Sequence, residues 1–263
     1  MAMRIWYQTM SPLNRLGSYA GIVASHARTI VSADTEIFFN GASEKFYRDR
    51  LPADVFRYPY TKFAVQKEAI DYCFRAEQEG FDAVVLGSFS EPFLRESRSL
   101  VEIPVVSLAE SAMLVGCSMA EEIALVTLTP EYARRLRDTV RRHKLESRVT
   151  QVIGLGEGIS EHDVNRGLDE PERIVDAFCS VAGTVIDRGA DLLVPAEGIL
   201  SLVLHKYGTA EIEGAPVMDS VATVLRYAEM LVELRRRTGL SVGRRWSYPQ
   251  PGPDLRDDIR RLM

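Results

Sequence analysis

Apolar and polar positions fall into blocks along this chain, and the blocks form two matching series. Gly80-Phe81-Asp82-Ala83-Val84-Val85-Leu86-Gly87-Ser88 is answered by Gly189-Ala190-Asp191-Leu192-Leu193-Val194-Pro195-Ala196-Glu197. Each opens Gly-x-Asp, continues as a short apolar run and stops at one polar residue. Such a run bounded by turn signals predicts a central parallel strand. Its polar end then lies where open α/β sheets present their ligands. Downstream, Ile103-Pro104-Val105-Val106-Ser107-Leu108-Ala109-Glu110-Ser111-Ala112 matches Ala215-Pro216-Val217-Met218-Asp219-Ser220-Val221-Ala222-Thr223-Val224. Upstream, Ile5-Trp6-Tyr7-Gln8-Thr9-Met10-Ser11-Pro12 matches Ala124-Leu125-Val126-Thr127-Leu128-Thr129-Pro130. Three pairs in the same order at nearly the same offset indicate an internal duplication.

The periodicities predict strands over 3–8, 36–39, 82–87 and 104–106 in the first half. Between them fall helices over about 12–31, 61–79, 91–99 and from 108 onward. The first of these helices carries an apolar stripe at Leu16, Tyr19, Ile22, Val23, Ala27 and Ile30. The second half gives strands over 122–127, 149–153, 191–195 and 216–218, with helices over 130–144, 171–188, 199–206 and 219–238. Strands alternating with helices imply parallel sheets covered on both faces. The expected architecture is α/β, with two pseudo-symmetric domains and a cleft between them. One domain takes 1–112 plus about 219–245, the other takes 113–218, and 246–263 forms a Pro-rich tail. Trp246-Ser247-Tyr248-Pro249-Gln250-Pro251-Gly252-Pro253 excludes regular structure, and a short helix can follow from Asp254. The two aromatics favour a packed arm, as across the interface of a homo-oligomer.

Composition narrows the function. The 263 residues are 46% apolar and 26% charged, which is ordinary for a globular protein of one or two domains. A net charge of −5 argues against nucleic acid as the main partner. The basic groups around Arg134-Arg135, Arg137, Arg141-Arg142 and Arg235-Arg236-Arg237 read as solvated helix faces. No apolar run is long enough to span a membrane and no signal peptide opens the chain, so a cytoplasmic protein is expected. Cys73, Cys117 and Cys179 read as small core residues.

Several apparent motifs dissolve on inspection. Gly154-Leu155-Gly156-Glu157-Gly158 lacks the third glycine of a dinucleotide loop and reads as a flexible loop before a late-starting helix. Glu157, Glu161, His162 and Asp163 lack metal-ligand spacing, so no metal is expected there. His26 lies on an apolar stripe and reads as a satisfied core histidine. His143 and His205 read as helix-terminal residues.

The segments 82–92, 104–112, 189–194 and 216–222 resemble the aspartate/glutamate/hydantoin racemase superfamily, and its hydantoin racemase-like branch most of all. The resemblance covers nearly the whole chain. It implies a cofactor-independent isomerase with its active site in the cleft between two α/β domains. In that family one cysteine ends each of the two matching strands: a thiolate removes the proton next to a carbonyl on one face, and a thiol returns one on the other. Here Ser88 and Glu197 stand at those positions. Serine is a poor base at neutral pH, whereas a buried carboxyl rises towards neutrality and exchanges protons with an activated C–H.

The first expectation is therefore isomerase or lyase chemistry with Glu197 as proton carrier. Ser88, with the backbone N–H groups of Ser88, Phe89, Ser90, Glu197 and Gly198, would hold the enolate oxygen. The resemblance adds Gln8, Thr9, Ser11, Thr127 and Thr129 as strand-end residues for a substrate carboxylate or cyclic amide. Helix capping is the competing role for Ser11 and Thr129. Hydrolysis of a small amide, imide or lactone by Glu197 with Ser88 is a second expectation, and ligand binding without chemistry a third. Glu197 also fits a plain helix N-terminal acid.

Overall fold

The computed structural model describes residues 2–15, 18–48, 50 and 52–262. Its first series runs β1 (Met3–Gln8), α1 (Tyr19–Ile30), β2 (Thr35–Asn40), α2 (Pro52–Phe56), α3 (Pro59–Gln66), α4 (Glu68–Gln78), β3 (Ala83–Leu86), α5 (Leu94–Leu100), β4 (Val105–Ser107) and α6 (Leu108–Gly116). The second runs β5 (Ile123–Thr127), α7 (Pro130–His143), β6 (Val149–Gly154), α8 (Glu161–Arg166), α9 (Glu172–Ile186), β7 (Leu192–Pro195), α10 (Gly198–Lys206), β8 (Glu211–Ile212), β9 (Ala215–Pro216) and α11 (Ser220–Thr238), with α12 (Pro253–Leu262) closing the chain.

The duplication is visible in the sheets. The first is wholly parallel in the order β2-β1-β3-β4, the second parallel in the order β6-β5-β7. Where β4 would have its counterpart, one parallel bridge joins Leu193 to Val217. The strand expected over 216–218 shrinks to that bridge plus the small hairpin β8-β9, because Pro216 has no N–H to extend a ladder. β3 and β7 occupy equivalent positions and are fully buried, so Ser88 and Glu197 leave equivalent strand ends. Helix α6 leads from the first sheet to the second, and α11 returns to pack on β3, β4, α1 and α6. One continuous core includes Ile5, Val85 and Val106 from the first sheet and Leu125 and Leu193 from the second.

Several helices depart from the expected spans. The helix expected over 12–31 is a 3-10 turn at Leu13–Arg15 followed by α1 from Tyr19; Leu16 of its stripe lies outside the described residues. The helix over 61–79 starts earlier, at Pro59, whose fixed φ suits a first turn, and it divides at Lys67. That over 91–99 starts only at Leu94, because Glu91 and Phe93 take left-handed φ values of 48° and 52°. The glycine-rich loop gives way to α8, whose start is fixed by a reciprocal Ser160–Asp163 capping box.

Cys73 is buried as expected, but Cys117 is only half-buried and Cys179 is exposed. The core-facing stripe of α9 is Ile174, Phe178, Ala182 and Val185, and that phase turns Cys179 outward. The tail lies along its own α5: Ser99 Oγ donates to Pro249 O at 2.5 Å and Gln250 Nε2 to Leu100 O at 3.0 Å. Within one protomer Trp246 is 84% exposed. Among the described residues no helix is long and apolar enough to cross a membrane.

Candidate active site

The carboxyl ends of the two sheets face a shared cavity of about 180 Å³. From the first series come Thr9, Met10 and Ser11 after β1, Tyr19 of α1, and the run Gly87–Ser90 after β3. From the second come Thr127 of β5, one face of α7, and the run Ala196–Ile199 after β7. Phe56, Lys62 and Glu161 complete the lining.

Glu197 is the residue the fold places most deliberately. It leaves β7 in an extended conformation and caps α10, its Oε2 accepting from Leu200 N at 2.7 Å. Burial pushes its carboxyl above the ordinary range, and the backbone N–H groups of Leu200, Ile199 and Gly198 pull back only in part. The capping role and the cavity role therefore coexist, since a carboxylate has more lone pairs than the cap uses.

Ser88 sits in a different setting. Its Oγ lies 2.9 Å from Ser90 Oγ and accepts from Ser90 N at 3.1 Å. Ser90 Oγ in turn accepts from the Gln66 amide at 2.9 Å. The chain of hydroxyls ends in an amide rather than a base, which suits hydrogen-bond donation and not nucleophilic attack.

The loop that carries Ser88 is held from below. Gly87 packs directly against the Tyr7 ring: a Cβ there would lie 2.5 Å and 2.8 Å from ring carbons and 3.0 Å from Gln8 O. Gly87→Ala is expected to cost about 1–3 kcal/mol of stability by overpacking. Urea unfolding of the variant beside the parent measures it.

Two expected site residues belong elsewhere. Gln8 is fully buried, and its amide is consumed by Trp6 Nε1 at 3.0 Å, Asn40 Nδ2 at 2.8 Å and Thr9 O at 2.8 Å. Thr129 caps α7, its Oγ1 accepting from Tyr132 N at 3.2 Å, so the capping alternative holds for it. Ser11 does line the cavity, as do Thr9, Phe89, Ser90, Thr127 and Gly198. At equivalent strand ends the two threonines are tied differently: Thr9 Oγ1 donates to Ser11 O of its own loop at 2.6 Å, and Thr127 Oγ1 to Ala196 O beyond the neighbouring β7 at 3.3 Å.

Sequence reasoning missed three contributions. Tyr19 reads as part of an apolar stripe, yet its ring reaches the cavity. Burial raises its phenol and that of neighbouring Tyr7, with Glu197 adding to both, so both stay protonated donors. Arg135 is half-buried and Arg142 exposed, and with Tyr132, Leu136 and Thr139 both line the cavity. Their seven-residue spacing places them on one helix face, a signal present in the sequence once that face is known. Lys62 joins them from α3, and burial together with these two arginines lowers its pKa. The cavity thus combines one raised carboxyl, neutral hydroxyl donors, an apolar lining (Met10, Phe56, Phe89, Leu136 and Ile199) and three basic side chains. That arrangement can bind a small anionic or carbonyl compound and move a proton at one carbon of it.

The comparisons with known proteins agree with this geometry. The chain is 26% identical over 206 residues to a hydantoin racemase from Pseudomonas sp. (strain NS671), covering 76% of each chain. Its fold matches an allantoin racemase from Klebsiella pneumoniae with a TM-score of 0.75 at 17% identity, covering 95% of this chain and 94% of that one. An allantoin racemase from Pseudomonas fluorescens matches with a TM-score of 0.74 at 21% identity, covering 95% and 98%. The family model for Asp/Glu/hydantoin racemase matches residues 43–228, and the chain belongs to that family.

Proposed function

We propose that this protein is a cofactor-independent isomerase or lyase that uses one carboxyl, Glu197, to move a proton at a carbon next to a carbonyl or carboxylate. The observation that carries this reading is a buried carboxyl of raised pKa at one strand end of the cavity, with a serine and no thiol at the other. In this account residues 1–112 with 219–245 supply the Ser88 wall and 113–218 the Glu197 wall.

As carboxylate, Glu197 takes the proton; the C–H electron pair moves onto the carbonyl oxygen as an enolate. Ser88 Oγ and the Phe89 N–H donate to that oxygen as its charge develops, the N–H groups of Ser88 and Ser90 being given to Leu86 O at 2.8 Å and Ser88 Oγ at 3.1 Å. As carboxylic acid, Glu197 then returns the proton to the same face of the carbon framework. Return at a different atom gives an isomer. If a C–C bond to a carboxylate breaks first, its electron pair forms the same enolate, carbon dioxide leaves, and Glu197 in its acid form supplies the proton. Ser88 supplies no second base, so two-base racemisation does not carry over.

Hydantoins and allantoin, named by the relatives, and simple α-carboxylates make a suitable first panel. Incubation in D2O and, separately, in H2¹⁸O distinguishes the classes. Deuterium at a substrate carbon without ¹⁸O is the expected result. Product carrying ¹⁸O would instead establish hydrolysis.

A further inference from the structure

We propose that His26, His205 and Asp219 form a binding site for one divalent zinc ion, outside the cavity and unconnected with its acid/base chemistry. The three residues come from three helices. His26 is on the third turn of α1, His205 in the last turn of α10, and Asp219 is the N-cap of α11. Their candidate ligand atoms all lie within 4.8 Å of one another. Asp219 Oδ2 stands 2.7 Å from His26 Nε2 and 3.3 Å from His205 Nδ1, and the two imidazole rings are 4.1 Å apart between centroids.

The second observation is an unsatisfied donor set. His26 is 7% exposed, yet its Nε2 has no hydrogen-bond partner of acceptable geometry, and neither does the buried Asp219 Oδ2 facing it. The pair meets at 2.7 Å without a well-formed hydrogen bond, and a shared cation would satisfy both atoms more fully. Asp219 is already aimed, because its other oxygen accepts from Ala222 N at 2.8 Å.

Two imidazoles and a carboxylate are a common zinc set, with bonds of roughly 2.0–2.1 Å and hence ligand atoms roughly 3.3 Å apart in a tetrahedron. The two Asp219 separations, 2.7 Å and 3.3 Å, already stand near that spacing, and the third is within 4.8 Å. His205 is half-exposed, which gives the ion an entry path and leaves the fourth position to water. None of the three residues lines the cavity. Their helices do: α1 carries Tyr19 and α10 starts at Glu197, so the ion would clamp the far ends of both. Its role is to fix those helices relative to each other.

The test is zinc titration of the intact chain by equilibrium dialysis, with Co2+ absorption and the thermal midpoint as independent readouts. Expected are one saturable zinc per chain, a tetrahedral Co2+ spectrum without thiolate charge-transfer, and a midpoint raised by zinc. Since His26 is buried, substitution there risks unfolding, so the half-exposed His205→Ala decides. It is expected to weaken zinc binding by at least about tenfold and to abolish the midpoint rise, with Asp219→Asn as the second variant. Absence of saturable binding, or binding unchanged in His205→Ala and Asp219→Asn, overturns the proposal; unchanged binding would place the ion on other groups such as Cys179.

Discussion

Glu197→Gln is expected to lower turnover by about 10²–10⁴-fold, the usual loss on removing a general acid/base, while substrate affinity stays near that of the parent. Glutamine is nearly isosteric, and its amide oxygen can still accept from Leu200 N, which Glu197 now caps at 2.7 Å. The helix start survives and the proton carrier does not. Steady-state turnover and a direct binding measurement on the same preparation separate the two. The raised carboxyl also sets a pH dependence. Activity as a base requires ionised Glu197, so kcat/KM rises with pH along a limb displaced above the ordinary carboxylate range. Stability runs the opposite way. A carboxyl whose pKa is higher folded than unfolded stabilises fully below the unfolded value, and that contribution is lost as pH rises through the folded value. The parent therefore loses stability over the window in which it gains activity, and Glu197→Gln flattens that loss.

Glu91→Ala is expected to cost about 3–5 kcal/mol of folding stability, the range for removing one partner of a buried charged network. Glu91 is 4% exposed and holds a left-handed backbone φ of 48° in the loop after Ser88. Its carboxylate accepts from Ser107 Oγ at 2.5 Å and Glu110 N at 3.1 Å, and its other oxygen meets His143 Nε2 at 2.7 Å. Those bonds join the Ser88 loop, the start of α6 and the end of α7, drawing on both sequence series. Without them Glu110 N keeps only Ser107 Oγ at 3.1 Å, the Ser107 hydroxyl loses its acceptor, and His143 Nε2 loses its carboxylate beside a strained turn. Glu91→Gln, which keeps the acceptor oxygen, is expected to lose less than half as much. Urea unfolding at constant m-value measures both.

The strand ends were the most legible part of this chain. Buried apolar runs closed by one polar residue identify β3 and β7 without reference to the rest of the fold, and so they locate Ser88 and Glu197. Capping was half-legible: Thr129 before Pro130 reads as a cap and is one, whereas Ser11 before Pro12 reads alike and faces the cavity. Helix phase decided the failures. Cys179 beside Phe178 passes for a core position until the α9 stripe is seen, and Arg135 passes for a fully solvated position until α7 is docked. Gln8 fits a strand-end ligand by position, but the indole of Trp6 and the amide of Asn40 consume it. The least legible feature was the meeting of His26 with His205 and Asp219. Each has a local explanation in the sequence, and only the packing of α1, α10 and α11 against one another brings them together.

The central claim is that a carboxyl, and no thiol, moves the proton. Cys73 is buried with its thiol pushed up to about 12, Cys117 is half-buried, Cys179 is exposed, and none lines the cavity. The most direct measurement is deuterium exchange from D2O into the carbon acid the enzyme accepts, by the parent, by the parent after thiol alkylation, and by Glu197→Gln. The account predicts equal exchange in the first two and its loss in the third. Exchange that survives in Glu197→Gln, or that alkylation abolishes, would contradict it.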